Sequence, residues 1–354
     1  MQIETRQLTY VQAIHEALVE SMSADPDVVV IGEGVPDPRA IFGTTAGLSE
    51  RFGSERVMDM PLSENGMTGA CIGAALSGMR PVLVHQRLDF ALLAMDQMVN
   101  NAAKWHYMFG GQASVPMVIR MMIGRGWGQG PQHSQSLQAF FAHVPGLKVA
   151  MPTTPHDAKG MLIASIRDNN PVIFLEHRWL HHVSGPVPEG DYEVPLGKAT
   201  IAREGRDLTI ASTSYMTLEA LRAAEWLAEE GISAEVIDIR SLRPLDTQTI
   251  LASVRKTGRL IAADTGGAFC GFSAEILALA SEEAFSALLA APRRVALPDY
   301  PTPTSHELAE HYYPRAIDLY RAACESLGRP PGSPEPPMRS TQLDVPNPSF
   351  RGPF

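Results

Sequence analysis

Cysteine is scarce in these 354 residues: there are three, Cys71, Cys270 and Cys324. They lie far apart and none forms a C-x-x-C pair, which excludes a disulfide framework and a zinc site as expectations. Long hydrophobic runs are missing as well. No apolar stretch reaches transmembrane length, and the opening MQIETRQLTYVQAIHEAL puts charges where a secretory signal needs an apolar run. The cytoplasm is the expected location. Positive charge is in deficit, with 29 Lys and Arg against 39 Asp and Glu and a formal charge of −10. Nonspecific binding to nucleic acid or to an anionic membrane is not expected. Phosphate loops are absent: no G-x-G-x-x-G follows a strand pattern, and no G-x-x-x-x-G-K-[ST] occurs. The glycine-rich GRGWGQGPQHSQ (124–135) fits neither spacing, so NAD and ATP have little support.

What is present describes a globular chain with a large core: 45% of residues are hydrophobic and 19% charged. Short buried-strand patterns alternate with helical ones. DVVVIGEG (27–34), PVLVHQ (81–86), VPMVIRMMIG (115–124) and PVIFLEHR (171–178) read as strands. Helices are predicted over 8–22, from Ser63 onward, and over 90–108. A second series follows, with strands at 207–213, 259–265 and 293–299, a strand and loop at 233–246 and a helix at 216–231. The alternation implies an α/β fold built on mainly parallel sheets. HHVSGPVPEGDYEVPLG (181–197), rich in Gly and Pro, reads as a linker. The expected division is a first domain over 1–185, a linker over 186–200, a second domain over 201–328 and a proline-rich tail over 329–354.

One carboxylate stands apart. In DMPLSENGMTGACIGAALSG (59–78), Glu64 opens an otherwise small and apolar segment. A carboxylate in a first helical turn is favoured by the helix dipole, and Ser63 could serve as a cap. That bland reading does not explain the glycines. Gly66, Gly69, Gly73 and Gly78 fall in the predicted helix, where each costs roughly 1 kcal/mol relative to Ala. Such a cost suggests that another helix or a partner chain packs very close. Burial raises the pKa of a carboxyl group, which would let one share a proton with a ring nitrogen of a ligand.

Glu64, four residues, then GACIGA (69–74) resembles the E-x4-G-Φ-x-x-G-Φ pattern of thiamine-diphosphate enzymes. PLSENGMTGACIGAALSGMRPV, AMDQMVNNAAK, PQHSQSLQAFFAHVPGLKVAMPTTPHDAKG and IRDNNPVIFLE resemble the beta subunit of the decarboxylating component of 2-oxo acid dehydrogenase complexes. Pyruvate, branched-chain 2-oxo acid and acetoin dehydrogenases form this group. The resemblance implies two three-layer α/β/α domains, a pyrimidine-binding domain followed by a transketolase C-terminal-like domain. It implies that Glu64 bonds N1′ of the aminopyrimidine of thiamine diphosphate, and that a proton shared there activates the cofactor. Glu33, in the family's GE element, would lie near the cofactor. Phe90 would stack on the aminopyrimidine. His133, in QHSQ, would assist acyl transfer to lipoamide. SIRDNN (165–170) resembles a potassium-binding loop, with ligands at Met117, Ser165, Ile166, Asp168 and Asn170.

The superfamily's Mg²⁺ motif, G-D-G with a later Asn, does not occur here; the nearest string is EGD at 189–191. Oxygen ligands for the diphosphate-bound Mg²⁺ are therefore expected from another chain. The expected function is the beta subunit of a thiamine-diphosphate-dependent 2-oxo acid dehydrogenase. It would work with an alpha subunit as an α₂β₂ heterotetramer and pass the acyl group to a lipoyl carrier. The rival reading is the C-terminal half of a split transketolase or acyloin-forming transferase. Arg87 and Arg125, which depart from the dehydrogenase pattern, would then meet a phosphorylated or anionic substrate. ADTGGAFCGFSAEI (263–276) departs as well, lacking the common EE or HE element.

Overall fold

A computed structural model describes residues 5–37, 40–125, 128–309 and 311–332. The chain divides into two compact units. The first holds the residues up to 124 together with 140–196, and the second runs from 197 onward and takes in 125–139. Sequence patterning placed that last segment in the first domain. The tail expected over 329–354 lies outside the described residues from 333 onward.

In the first unit, β1 (Thr5–Thr9), β2 (Val28–Gly32), β3 (Val57–Met58), β4 (Arg80–His85), β5 (Val118–Ile123), β6 (Lys148–Ala150), β7 (Val172–His177) and β8 (Ser184–Pro188) follow in order. Six of them form parallel pairs in the order β3-β2-β4-β5-β7-β6. Every residue of β2, β5 and β7 is buried. That is why these segments are continuously apolar rather than alternating: helices cover both faces of a parallel sheet. Helix α1 (Tyr10–Ala24) starts at a capping box, in which Thr9 Oγ1 accepts from Gln12 N and Gln12 Oε1 accepts from Thr9 N. α2 spans Glu64–Leu76 and α3 spans Pro155–Arg167. α1 and α3 are joined by Lys159, whose buried ammonium donates to Glu16 at 2.6 Å and Glu20 at 3.0 Å.

Two expectations change here. The stretch read as a linker contains β8, which pairs antiparallel with β1. Its prolines are tolerated because each strand of a two-stranded ribbon is an edge strand and needs only one row of donors. The helix expected over 90–108 is broken into Leu88–Ala91, a tight turn at Leu92–Ala94, a π-helical segment at Gln97–Ala102 and Trp105–Met108. In the wide turn Ala103 N donates to Met98 O, and Asn100 and Asn101 donate to the side chains of Asp96 and Gln97. Apolar spacing does not reveal such a widened turn.

In the second unit, β9 (Thr200–Arg203), β10 (Leu208–Ser212), β11 (Ala234–Asp238), the short β12 (Ser241–Arg243), β13 (Leu260–Gly267) and β14 (Arg293–Leu297) follow in order. The sheet runs β14-β13-β10-β11-β9, parallel except for β9. α4 (Tyr215–Glu229) and α7 (Ala316–Ser326) share a core in which Ala220, Ala224 and Leu227 join Leu319, Tyr320 and Ala323. α5 (Thr247–Thr257) starts at Asp246, which accepts from Thr249 N, and ends at Gly258, where φ is +68°. α6 spans Phe272–Glu283.

Candidate active site

The carboxyl ends of parallel strands in an open α/β sheet are where ligands bind. In the first unit β3, β2 and β4 are neighbours, and their carboxyl ends deliver Asp59, Glu33 and Gln86 to one place. Gln86 Nε2 donates to Glu33 O at 3.2 Å, and Asp59 Oδ1 accepts from Gly34 N at 2.8 Å and from Met60 N at 2.9 Å. Glu64 enters from the first turn of α2, with 8% of its surface exposed. Ser63 precedes it without a side-chain capping bond, so Glu64 is no companion to a serine cap. Partial burial, then the negative charges of Glu64 and Asp59, hold the Glu33 carboxyl above the usual carboxylate range. Glu33 and Glu64 are thus brought into electrostatic contact, as an acidic pair with Asp59 beside it. Neither Asp59 nor Gln86 stood out in the sequence.

Phe90 lies in the short helix after β4, with 37% of its surface exposed. Arg87, three residues earlier, is buried, and its guanidinium donates to Gly124 O at 2.6 Å. The glycines of α2 divide. A Cβ on Gly69 would come within 3.3 Å of Gln97 Oε1, so this glycine admits a close neighbour from the same chain. Gly66 and Gly73 face outward, and nothing lies within 4 Å of a Cβ on Gly73. Gly78, expected within the helix, lies beyond its end.

His133 is carried by the second unit, exposed on the turn Pro131–His133. Its segment is held at two places. The buried Arg125 donates to Pro303 O and, at 3.0 Å, to Thr304 O. Farther along, the buried Gln138 donates from Nε2 to Asp264 Oδ1 at 2.6 Å. Arg87 and Arg125 are thus both buried and donate to backbone carbonyls of the chain.

The five residues of the expected potassium loop lie together in the first unit. Met117 O accepts from Val172 N, and Ser165 O from Asp168 N. Arg80 donates to Ile166 O at 3.1 Å and to Asp168 O at 3.2 Å, and Lys148 pairs with the Asp168 carboxylate. Asn170 N donates to Asp168 Oδ1 at 2.9 Å. The turn is thus closed by two cations of the chain itself. Among the described residues no group of three or more His, Cys, Asp or Glu is disposed to hold a metal.

Comparison with known proteins identifies the families of both parts of the chain. Residues 6–182 match the transketolase pyrimidine binding domain, and residues 197–318 the transketolase C-terminal domain. The chain is 44% identical over 332 residues to the acetoin:2,6-dichlorophenolindophenol oxidoreductase subunit beta of Cupriavidus necator, covering 91% of this chain and 98% of that one. It is 46% identical over 322 residues to the mitochondrial pyruvate dehydrogenase E1 component subunit beta-1 of Arabidopsis thaliana, covering 90% and 89%. Among solved structures, a split-gene transketolase described as an inactive beta4 tetramer matches with a TM-score of 0.76 at 25% identity, covering 91% of this chain and 99% of that one.

Proposed function

The chain belongs to the transketolase-like family that includes the beta subunits of pyruvate and acetoin dehydrogenases, and from that premise we propose that it is the beta subunit of a thiamine-diphosphate-dependent 2-oxo acid dehydrogenase. The observation that carries the reading is Glu64, a nearly buried carboxylate opening α2 beside Glu33. A buried acid and an exposed aromatic ring are the groups an aminopyrimidine calls for: in this reading Glu64 holds a proton at its ring nitrogen, and Phe90 offers a face for stacking. Beside Glu64 stands Glu33, its carboxyl held above the usual range by partial burial and then by Glu64 and Asp59. Thiamine diphosphate, when bound, supplies the electron sink for loss of carbon dioxide. His133 serves the later transfer of the acyl group to a lipoyl carrier. The alpha subunit, two copies with two of this chain, contributes the ligands for Mg²⁺ and the diphosphate. A cytoplasmic location completes the proposal; no helix among the described residues is long and apolar enough to cross a membrane.

Potassium at the 165–170 turn is part of the proposal in a restricted form. Each carbonyl that accepts from the chain keeps a second lone pair, and a cation would use these beside Arg80. Potassium chloride should then raise the unfolding midpoint where choline chloride does not; equal midpoints would remove the ion.

The ketose-forming alternative is not favoured. The relatives at 44% and 46% identity are named as dehydrogenase or oxidoreductase subunits, whereas the transketolase neighbour shares 25%. The decisive experiment on the proposal is Glu64→Gln in the assembled enzyme. Loss of proton exchange at the pyrimidine should slow hydrogen–deuterium exchange at cofactor C2 by more than the roughly 10²–10⁴ of a single acid–base group. Circular dichroism and assembly should not change. A variant exchanging at the parent rate ends the assignment of Glu64.

A further inference from the structure

The departure at 263–276 places an acid where it touches the His133 segment. Asp264 lies in β13 with 1% of its surface exposed. Four donors converge on its carboxylate. Oδ1 accepts from Gln138 Nε2 at 2.6 Å, Thr213 Oγ1 at 3.1 Å and Gly266 N at 3.3 Å, and Oδ2 accepts from Ser273 N at 3.2 Å. Gln138 Nε2 also reaches Thr265 Oγ1 at 3.3 Å. The approach requires a glycine: a Cβ on Gly266 would stand 2.7 Å from Gln138 Nε2 and 3.2 Å from Ser136 O. At the other end of the segment, a Cβ on Gly130 would collide with the Thr304 hydroxyl, beside the carbonyls that take Arg125. Between these anchors, Ser134 Oγ donates to Gln129 O and His133 N to Gly130 O. The turn that presents His133 is therefore tied down at both ends within one unit.

We propose that Asp264, acting through Gln138, is a positioning residue that holds the His133 turn in place for acyl transfer. The proposal rests on the reading of His133 as the transfer group. A hydrogen bond to a fully desolvated carboxyl oxygen is directional, and its loss leaves a buried acceptor short of a donor. Burial holds the Asp264 carboxyl above the usual carboxylate range, and its donors, Gln138 first, offset this only in part. None of those four neighbours is titratable.

The test compares His133→Ala, Gln138→Met and Gln138→Glu in the full chain assembled with its alpha-type partner. Two half-reactions are measured: oxidation of pyruvate or acetoin with 2,6-dichlorophenolindophenol, and acyl transfer to a lipoyl domain. Gln138→Met keeps the shape and removes the donor. Transfer should fall relative to dye reduction by about tenfold to a hundredfold, the scale of a misplaced group. Amide exchange over 128–137 should quicken while the unfolding midpoint stays close to the parent's. Gln138→Glu sets two buried carboxyls side by side, which must share a proton to remain bonded. Its transfer rate should match the parent at low pH and fall to the Gln138→Met level as pH rises through the shared pKa. Parent-like exchange over 128–137 in Gln138→Met, or equal losses in both half-reactions, overturns the proposal. A Gln138→Glu variant with no pH dependence of its own overturns it as well. Should His133→Ala leave transfer intact, the reading of His133 fails and the transfer role of Asp264 fails with it; quickened exchange in Gln138→Met would then show an anchor without that role.

Discussion

At the scale of single residues, the buried histidines set a pH dependence. His85 ends β4 with 3% of its surface exposed, and burial pushes its imidazole down to about 4. His181, fully enclosed, is pushed well below its ordinary value by burial first and then by Arg178 and Arg120. Both are neutral in the folded chain at neutral pH. In an unfolded chain the same groups take up a proton at about 6.5. Below that pH the unfolded state binds more protons, so stability falls as pH falls. The contribution is complete above about 6.5 and, for His85, is lost progressively down to about 4. At about 1.4 kcal/mol per pKa unit, His85 accounts for up to about 3 kcal/mol at the acid end. His85→Asn should therefore flatten the unfolding midpoint between pH 6.5 and 4.5, measured by thermal melts across that range. An acid limb as steep as the parent's would exclude His85 as a source.

At the scale of elements, α2 answers why an apolar segment carries so many glycines. Gly78 is the left-handed residue that ends the helix: its φ is +103°, Gly78 N donates to Ala75 O, and Met79 N reaches back to Ala74 O. Gly69 admits Gln97. Gly66 and Gly73 remain outward with no near neighbour that requires them in the case of Gly73, which suits a face covered by a partner. Gly73→Leu separates the two effects. Leu is a better helix former than Gly by most of about 1 kcal/mol, so the single chain should melt no lower than the parent. Assembly with the alpha-type partner should fail, as read by light scattering; a full-sized complex would show that no partner backbone covers Gly73. The helix, its start at Glu64 and most strands were legible in the sequence, because burial on both sheet faces makes strands continuously apolar and glycine punctuates their ends. What joins elements was not. Asp59 and Gln86 meet Glu33 only because β3, β2 and β4 are neighbours, and Gln138 meets Asp264 across 126 positions of sequence. Such meetings leave no local spacing to read. The widened turn at Gln97–Ala102 was hidden for another reason, since its apolar residues fit an ordinary helical period.

At the scale of the whole molecule, charge decides what the chain can hold alone. It carries a formal −10, and the first unit gathers Glu33, Asp59 and Glu64 where the proposal puts an aminopyrimidine. Those groups suit a ring that accepts and shares protons. They repel a diphosphate, whose binding calls for Mg²⁺ and positive or amide donors. The chain by itself should therefore fail to bind thiamine diphosphate with or without Mg²⁺, and should be inactive. Adding a chain that carries the G-D-G motif should restore Mg²⁺-dependent binding and give a particle of two copies of each. Calorimetric titration of the cofactor into the single chain and then into the mixture, with masses from light scattering, measures both. Tight Mg²⁺-dependent binding by the single chain would refute the division of labour, because the diphosphate would then have its ligands among residues of this chain.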